Sequence, residues 1–161
     1  QEAFQDLDLV WHHIGPVQSN KTREIAQYFD WVHGVGREKI ARRLSDQRPA
    51  HLPPLNICLQ INISDEPSKS GISPQEATAL AAQIANLPRL KLRGLMCVPE
   101  AGVDPVPAFR QMRALLQSLN AGGSNLDTLS MGMSADFEAA ITEGATIIRV
   151  GSAIFGNRNY A

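Results

Sequence analysis

The chain has 161 residues, 43% of them hydrophobic and 19% charged, and no long apolar run, which fits a soluble globular protein of about one domain and no membrane-spanning helix. Lys and Arg number 15 against 16 Asp and Glu, for a net charge of -1. That balance lacks the basic excess that nucleic-acid binding draws on, so a small ligand or a protein partner is expected instead.

The first residues, QEAFQDLDLVW, carry no initiator Met, no basic stretch and no apolar signal segment, so the chain is expected to begin inside a longer protein. After an acidic, helical start, LVWHHIG (9–15) reads as a strand. SNKTREIAQYF follows, with Ile25, Ala26 and Phe29 on one helical face and Ser19 or Asn20 as cap. DWVHGVG is a short strand and REKIARRLSDQ a helix. LNICLQINIS (55–64) is β-rich, and SPQEATALAAQIANL (73–87) sets Ala77, Leu80, Ala81 and Ile84 at helical spacing behind a Ser-Pro start. KLRGLMCVP (91–99) is a fourth strand, and PVPAFRQMRALLQSLN (105–120) a helix that ends before Gly122 and Gly123. TLSMGM and SADFEAAITEG form a fifth pair, and TIIRVGSAIFG supplies a sixth strand. DQRPAHLPP (46–54) and PEAGVDPVP (99–107) read as surface loops. Cys58 and Cys97 lie inside apolar strand runs with no CxxC partner and no His at ligand spacing, so both are expected in the core of a reduced, cytosolic protein, and no metal site is expected.

Six βα-type units in succession argue for α/β architecture with a parallel sheet, because parallel neighbours need crossovers and helices make compact ones. Two layouts fit. An open, doubly wound sheet accommodates six strands, whereas an eight-stranded barrel would be two strands short. Length alone favours the open sheet. The first βα turn, GPVQSNK, however, has no GxGxxG fingerprint, which argues against a nucleotide-binding Rossmann domain.

Two strand ends repeat one pattern: an apolar run closes in Gly and Ser at Gly132 and Ser134, and again at Gly151 and Ser152. Backbone N–H groups at a tight turn entering a helix hold phosphate well, with the macrodipole adding partial positive charge. Ser134 and Ser152 would add hydroxyl donors, and the amides of Gly151 and Ser152 could approach closely. The plainer reading is that both glycines merely terminate strands. Arg149 tips the balance, since strand alternation places it on the face of Gly151, where a buried cation needs a partner. An anionic or ring-nitrogen-bearing ligand is indicated.

Five collinear blocks, WHHIGPVQSNK, LQINISDEPSKSGI, LRGLMCVPEAG, LSMGMSADFEAAI and IRVGSAIFG, together closely resemble the pyridoxal 5′-phosphate (PLP) homeostasis proteins, known as YggS in bacteria and PROSC in animals. That family is related to the N-terminal domain of alanine racemase. The resemblance implies a (β/α)8 TIM barrel of the fold-type III PLP class, with a Schiff-base lysine near the end of its first strand. It also implies that Ser134 and the Gly151–Ser152 turn hold the phosphate, that Gly132 and Met133 form the wall beside it, and that Arg149 faces the pyridine nitrogen. The family's first two strands, with an SK lysine and a GEN stretch, should precede QEAFQDL. Residues 1–161 are therefore expected to be a single PLP-binding barrel domain, truncated at its N-terminus to about six βα units, with two sheet edges left unpartnered. None of the four lysines, Lys21, Lys39, Lys69 and Lys91, stands in the Schiff-base motif, so only noncovalent PLP binding is expected.

A cation beside the ring nitrogen disfavours its protonation and so mutes the ring as an electron sink. Racemases of this fold add a Tyr acid/base from another domain, whereas the tyrosines here, Tyr28 and Tyr160, lie in a helix and at the chain end. The implied function is PLP binding in intracellular vitamin B6 homeostasis without catalysis, in the cytoplasm, as a monomer when full-length and with PLP-dependent apoenzymes as protein partners. The alternatives are a racemase-like PLP enzyme of the same fold, or a binding module that has lost the cofactor. His12 is read as a hydrogen-bonded structural histidine before a ligand-side one, and Asn62 as either ligand-facing or a strand cap. Asp136 and Glu138 are explained by the helix dipole, and REKIARR by a solvated helix face.

Overall fold

Alternation along the strands sorts apolar and polar side chains onto opposite faces of one sheet, and the crossovers decide which face is covered. The computed structural model describes residues 6–64 and 70–156. Strands β1 (His12–His13), β2 (Trp31–Val35), β3 (Leu55–Gln60), β4 (Leu90–Met96), β5 (Thr128–Met133) and β6 (Ile147–Arg149) are all parallel and pair in the order β1-β2-β3-β4-β5-β6. Between or after them run α1 (Thr22–Tyr28), α2 (Glu38–Gln47), α3 (Ala77–Ala85), α4 (Val106–Ala121), α5 (Phe137–Thr142) and α6 (Ser152–Phe155). A doubly wound sheet must reverse its strand order somewhere. Here the order never reverses, so right-handed crossovers put successive helices on one side and the sheet curls into a half-barrel. The layout that length alone favoured is thereby corrected.

The convex face carries the core. Val32, Leu55, Ile57, Leu59, Leu95, Leu129 and Met131 are buried against Ile25, Ile40, Leu44, Leu80, Ile84, Phe109 and Met112 of the helices. Burial of each large apolar side chain stabilises by about 1.5–3 kcal/mol. On α2 the buried stripe is Ile40, Ala41 and Leu44, while Arg37, Lys39 and Arg42 face solvent, as expected for a solvated basic face. Cys97 joins the convex core; Cys58 lies with Asn56 and Gln60 on the other face, and burial pushes both thiols up to about 12.

Several boundaries differ from the sequence expectation. The first strand, expected over 9–15, pairs only at His12–His13, because it is an edge strand with a single neighbour in the described sheet. Neither Ser19 nor Asn20 caps α1: Lys21 holds the N-cap position without a side-chain cap, and Ser19 contributes its carbonyl to the Thr22 hydroxyl at 3.0 Å. The Ser-Pro start opens instead a 3₁₀ turn, Pro74–Glu76, closed by a capping box in which Ser73 N–H and Oγ–H both donate to Glu76 at 2.9 and 2.6 Å. Among the described residues no helix is long and apolar enough to cross a membrane.

One buried cation fastens the helical layer to the loop before β3. Arg48, 2% exposed, donates from Nη1 to the carbonyls of Ala26 and Phe29, both at 2.7 Å, and from Nε to Pro53 at 2.9 Å. Replacing it by Met keeps the volume and orphans three carbonyls, and is expected to cost about 2–4 kcal/mol in urea denaturation. A loss below about 0.5 kcal/mol would mean that water satisfies those carbonyls.

Candidate functional site

The two small-residue corners meet at the C-terminal ends of β5 and β6. Ser134 Oγ accepts hydrogen bonds from the amides of Gly151 and Ala153, each at 3.2 Å. A hydroxyl oxygen that accepts two N–H groups keeps its own proton for donation. Gly151 is exposed, and a Cβ built on it would meet nothing within 4 Å, so the turn opens onto free space. The helices that follow each corner are only 6 and 4 residues long, too short for a substantial macrodipole, so the polarity of the turn comes from its individual N–H groups and the Ser134 hydroxyl. The second converging amide is that of Ala153; Ser152 stands beside it, exposed.

Gly132 has φ +92°, and a Cβ there would come within 2.6 Å of Ala140 Cβ and 3.1 Å of Phe137 Cα. Its bareness lets α5 close against β5. Met133 is exposed and, with Ser134 and Asp136, borders a groove of 710 Å³ that reaches the loop after β4. Asp136 fixes this turn by accepting the Met133 amide at 2.5 Å, a local role that the dipole argument overlooked.

Arg149, half-buried on the concave face, donates from Nη1 to Ser130 Oγ and from Nη2 to the Cys97 carbonyl, both at 2.8 Å. Those acceptors are neutral, so the positive charge is held in place without being cancelled, and burial lowers its pKa from the ordinary value. Ser130 Oγ lies 2.6 Å from His33 Nδ1, and His33 Nε2 lies 2.8 Å from His12 Nδ1. His33 is fully buried; burial first, then the neighbouring His12, Arg149 and His13, pushes its pKa down to about 3. His12, Ile14, His33, Ile147, Arg149 and Gly151 together line a cavity of 410 Å³.

Nearer the N-terminal ends of the strands the concave face is closed by polar packing. Arg93 makes a two-pronged contact with Asp127, Nε to Oδ1 at 3.0 Å and Nη2 to Oδ2 at 2.7 Å. It also donates to Asn56 Oδ1 at 3.1 Å and lies 4.7 Å from the Trp31 ring centroid. Trp31 stacks on His12 with centroids 5.4 Å apart. The inside of the half-barrel thus has a braced polar floor and an open end where the two small-residue corners meet.

Of the residues singled out from sequence, Ser134 and Gly151 are brought into direct contact, and Arg149 and Gly151 line one cavity. His12 is hydrogen-bonded, as the structural reading expects, and also lines that cavity. Asn62 borders a separate cavity of 240 Å³ with Ile14 and Met96. Lys69 and Tyr160 lie outside the described residues. Sequence reasoning missed His33 and Ser130. Strand alternation held a signal for both, since His33 shares a face with Trp31, and Ser130 stands two residues before Gly132.

A family model for the alanine racemase N-terminal domain matches residues 3–159. The pyridoxal phosphate homeostasis protein of Pseudomonas aeruginosa is 58% identical over 163 residues, covering 99% of this chain and 70% of that protein. The protein of the same name from Escherichia coli K12 is 54% identical over 164 residues, covering 98% and 70%. PipY of Synechococcus elongatus, solved with PLP bound, superposes with a TM-score of 0.86 at 36% identity, covering 97% of this chain and 75% of PipY. Alanine racemase of Clostridium difficile, at 13% identity and a TM-score of 0.76, covers 94% of this chain and 41% of that enzyme, and shares the fold. With six parallel strands wound in one direction and a match along nearly its whole length, the chain belongs to the alanine racemase N-terminal domain family and, within it, to the pyridoxal phosphate homeostasis proteins.

Proposed function

We propose that this chain binds pyridoxal 5′-phosphate without catalysing turnover and serves intracellular vitamin B6 homeostasis, the phosphate held by Ser134 and the Gly151–Ser152–Ala153 turn and the ring directed to Arg149. The observation that carries the reading is the convergence of the Gly151 and Ala153 amides on Ser134 Oγ, which leaves a polarised hydroxyl free to donate to an anion. The bare, open face of Gly151 leaves room for the phosphate, and Met133 stands at the rim.

When bound, PLP supplies an electron sink whose strength depends on a protonated ring nitrogen. Arg149 opposes that protonation, because among the described residues its hydrogen-bond partners, Ser130 Oγ and the Cys97 carbonyl, are neutral. A site built this way orients and retains the cofactor and does little for carbanion chemistry, which supports a carrier over a racemase. Among the described lysines, Lys21 pairs with Glu24 at 3.3 Å, Lys39 is exposed on α2, and Lys91 is exposed near the start of β4. The hold we propose for this chain is therefore noncovalent. Delivery to PLP-dependent apoenzymes, by a monomer in the cytoplasm, is part of the same reading.

Equilibrium dialysis of the chain against PLP tests it. Saturable one-to-one binding is expected, about tenfold weaker for Ser134→Ala, which loses the hydroxyl donor and loosens two amides. No saturable binding by the unmodified chain would overturn the reading, and unchanged affinity in Ser134→Ala would overturn the placement of the phosphate at Ser134.

A further inference from the structure

Four side chains from four separated stretches of sequence form one unbroken line of hydrogen bonds across the concave face: Arg149, Ser130, His33 and His12. The donor and acceptor capacities of these groups give the line a direction. A guanidinium can only donate, so Ser130 Oγ must accept from Arg149. Ser130 is fully buried, and among the described residues the other side-chain hydrogen-bond partner of its hydroxyl is His33 Nδ1. If His33 donated there as well, the serine proton would be left without an acceptor in the interior, which is costly. The serine therefore donates to His33 Nδ1, and the imidazole proton of His33 sits on Nε2. From Nε2 it is donated to His12 Nδ1. The proton of His12 is then on its own Nε2.

We propose that Ser130 and His33 are positioning residues for Arg149, and that their hydrogen-bonded line fixes the tautomer of His12, giving the ligand cavity a guanidinium and an imidazole N–H of set orientation. The inference rests on the reading of Arg149 as the ring-facing cation. The line works only while both imidazoles are neutral, and its surroundings keep His33 so. Arg149 on β6 and His12 and His13 on β1 all oppose a charge on His33, and among the described residues Asp30, just before β2, favours one on His12. The sequence separation between His33 and Ser130 is 97 residues, so the line also ties the first third of the chain to the last.

Two measurements on the full chain test this. Nitrogen-15 NMR of the imidazoles in ligand-free protein reads the tautomers directly: His33 is expected as the Nε2–H form, remaining neutral from pH 7 to about 4.5, well above the pKa of about 3. An Nδ1–H tautomer, or a proton uptake by His33 near its ordinary 6.5, would overturn the inference even if the chain proves not to bind PLP at all. The second compares two ligands on Ser130→Ala. PLP is expected to bind about tenfold more weakly, while benzyl phosphate, which has the phosphate and no ring nitrogen, changes by less than about twofold. Equal losses for both ligands would mean a general distortion of the site and overturn the positioning role, as would no loss for either. If Ser130→Ala does not fold, the tautomer measurement on the unmodified chain decides.

Discussion

Arg149→Leu is expected to weaken PLP binding by about a hundredfold, the largest ligand effect of any single change in the site. The substitution removes the cation from the cavity and strands two buried acceptors, Ser130 Oγ and the Cys97 carbonyl, which it now satisfies. Those acceptors make a stability loss of about 1–3 kcal/mol unavoidable, so urea denaturation should accompany the dialysis. Arg149→Lys separates charge from shape. A lysine keeps the cation but has no planar fork with which to reach Ser130 and Cys97 together, so it is expected to recover only a small part of the lost affinity. Affinity unchanged in Arg149→Leu would remove Arg149 from the ligand's surroundings altogether.

Gly94→Ala is expected to have the largest effect on stability, at about 4 kcal/mol or more. A Cβ at this position would lie 1.8 Å from the Thr128 carbonyl oxygen, 2.6 Å from its carbon and 2.9 Å from its Cα. All three are backbone atoms of the neighbouring strand, so no rotamer change relieves the contact. β4 and β5 must part where Gly94 pairs with Thr128. The same pairing continues through Met96 and Ser130 to the Cys97 amide, which donates to the Ser130 carbonyl at 3.2 Å. Both acceptors of Arg149 sit on that seam, so partial unfolding there should abolish PLP retention as well. Thermal melting checks it: a midpoint within about 3 °C of the unmodified chain would mean that the strands slide past the added methyl at little cost.

Much of this was legible in the sequence, for reasons that are local. The alternation of β-rich and helical segments requires only neighbouring residues to read, and the six units appear in the expected order. Arg149 stood out because a charge within an apolar strand is costly, and Ser134 and Gly151 because small residues at strand ends leave backbone amides bare. What the sequence left open depends on distant partners. Whether six strands lie open or curl is set by the side on which each crossover packs, and no single segment encodes that. His33 looked like one more residue of a short strand until Ser130 was brought against it from across the sheet. The cap of α1 failed differently: Ser19 and Asn20 are good cap residues by type, yet Lys21 takes the N-cap position and the Ser19 carbonyl accepts from the Thr22 hydroxyl.

The strictly sequential strand order has a kinetic consequence. Within the described sheet, each strand from β2 to β6 docks on the one made just before it. The sheet can grow unit by unit from the ribosome, each βα pair presenting a finished template to the next, as in repeat proteins. Among the described residues, the Arg149–Ser130–His33–His12 line runs against this progression, since it joins β6 to β1 and β2. Sheet assembly should therefore precede completion of the ligand site, with the guanidinium seated last.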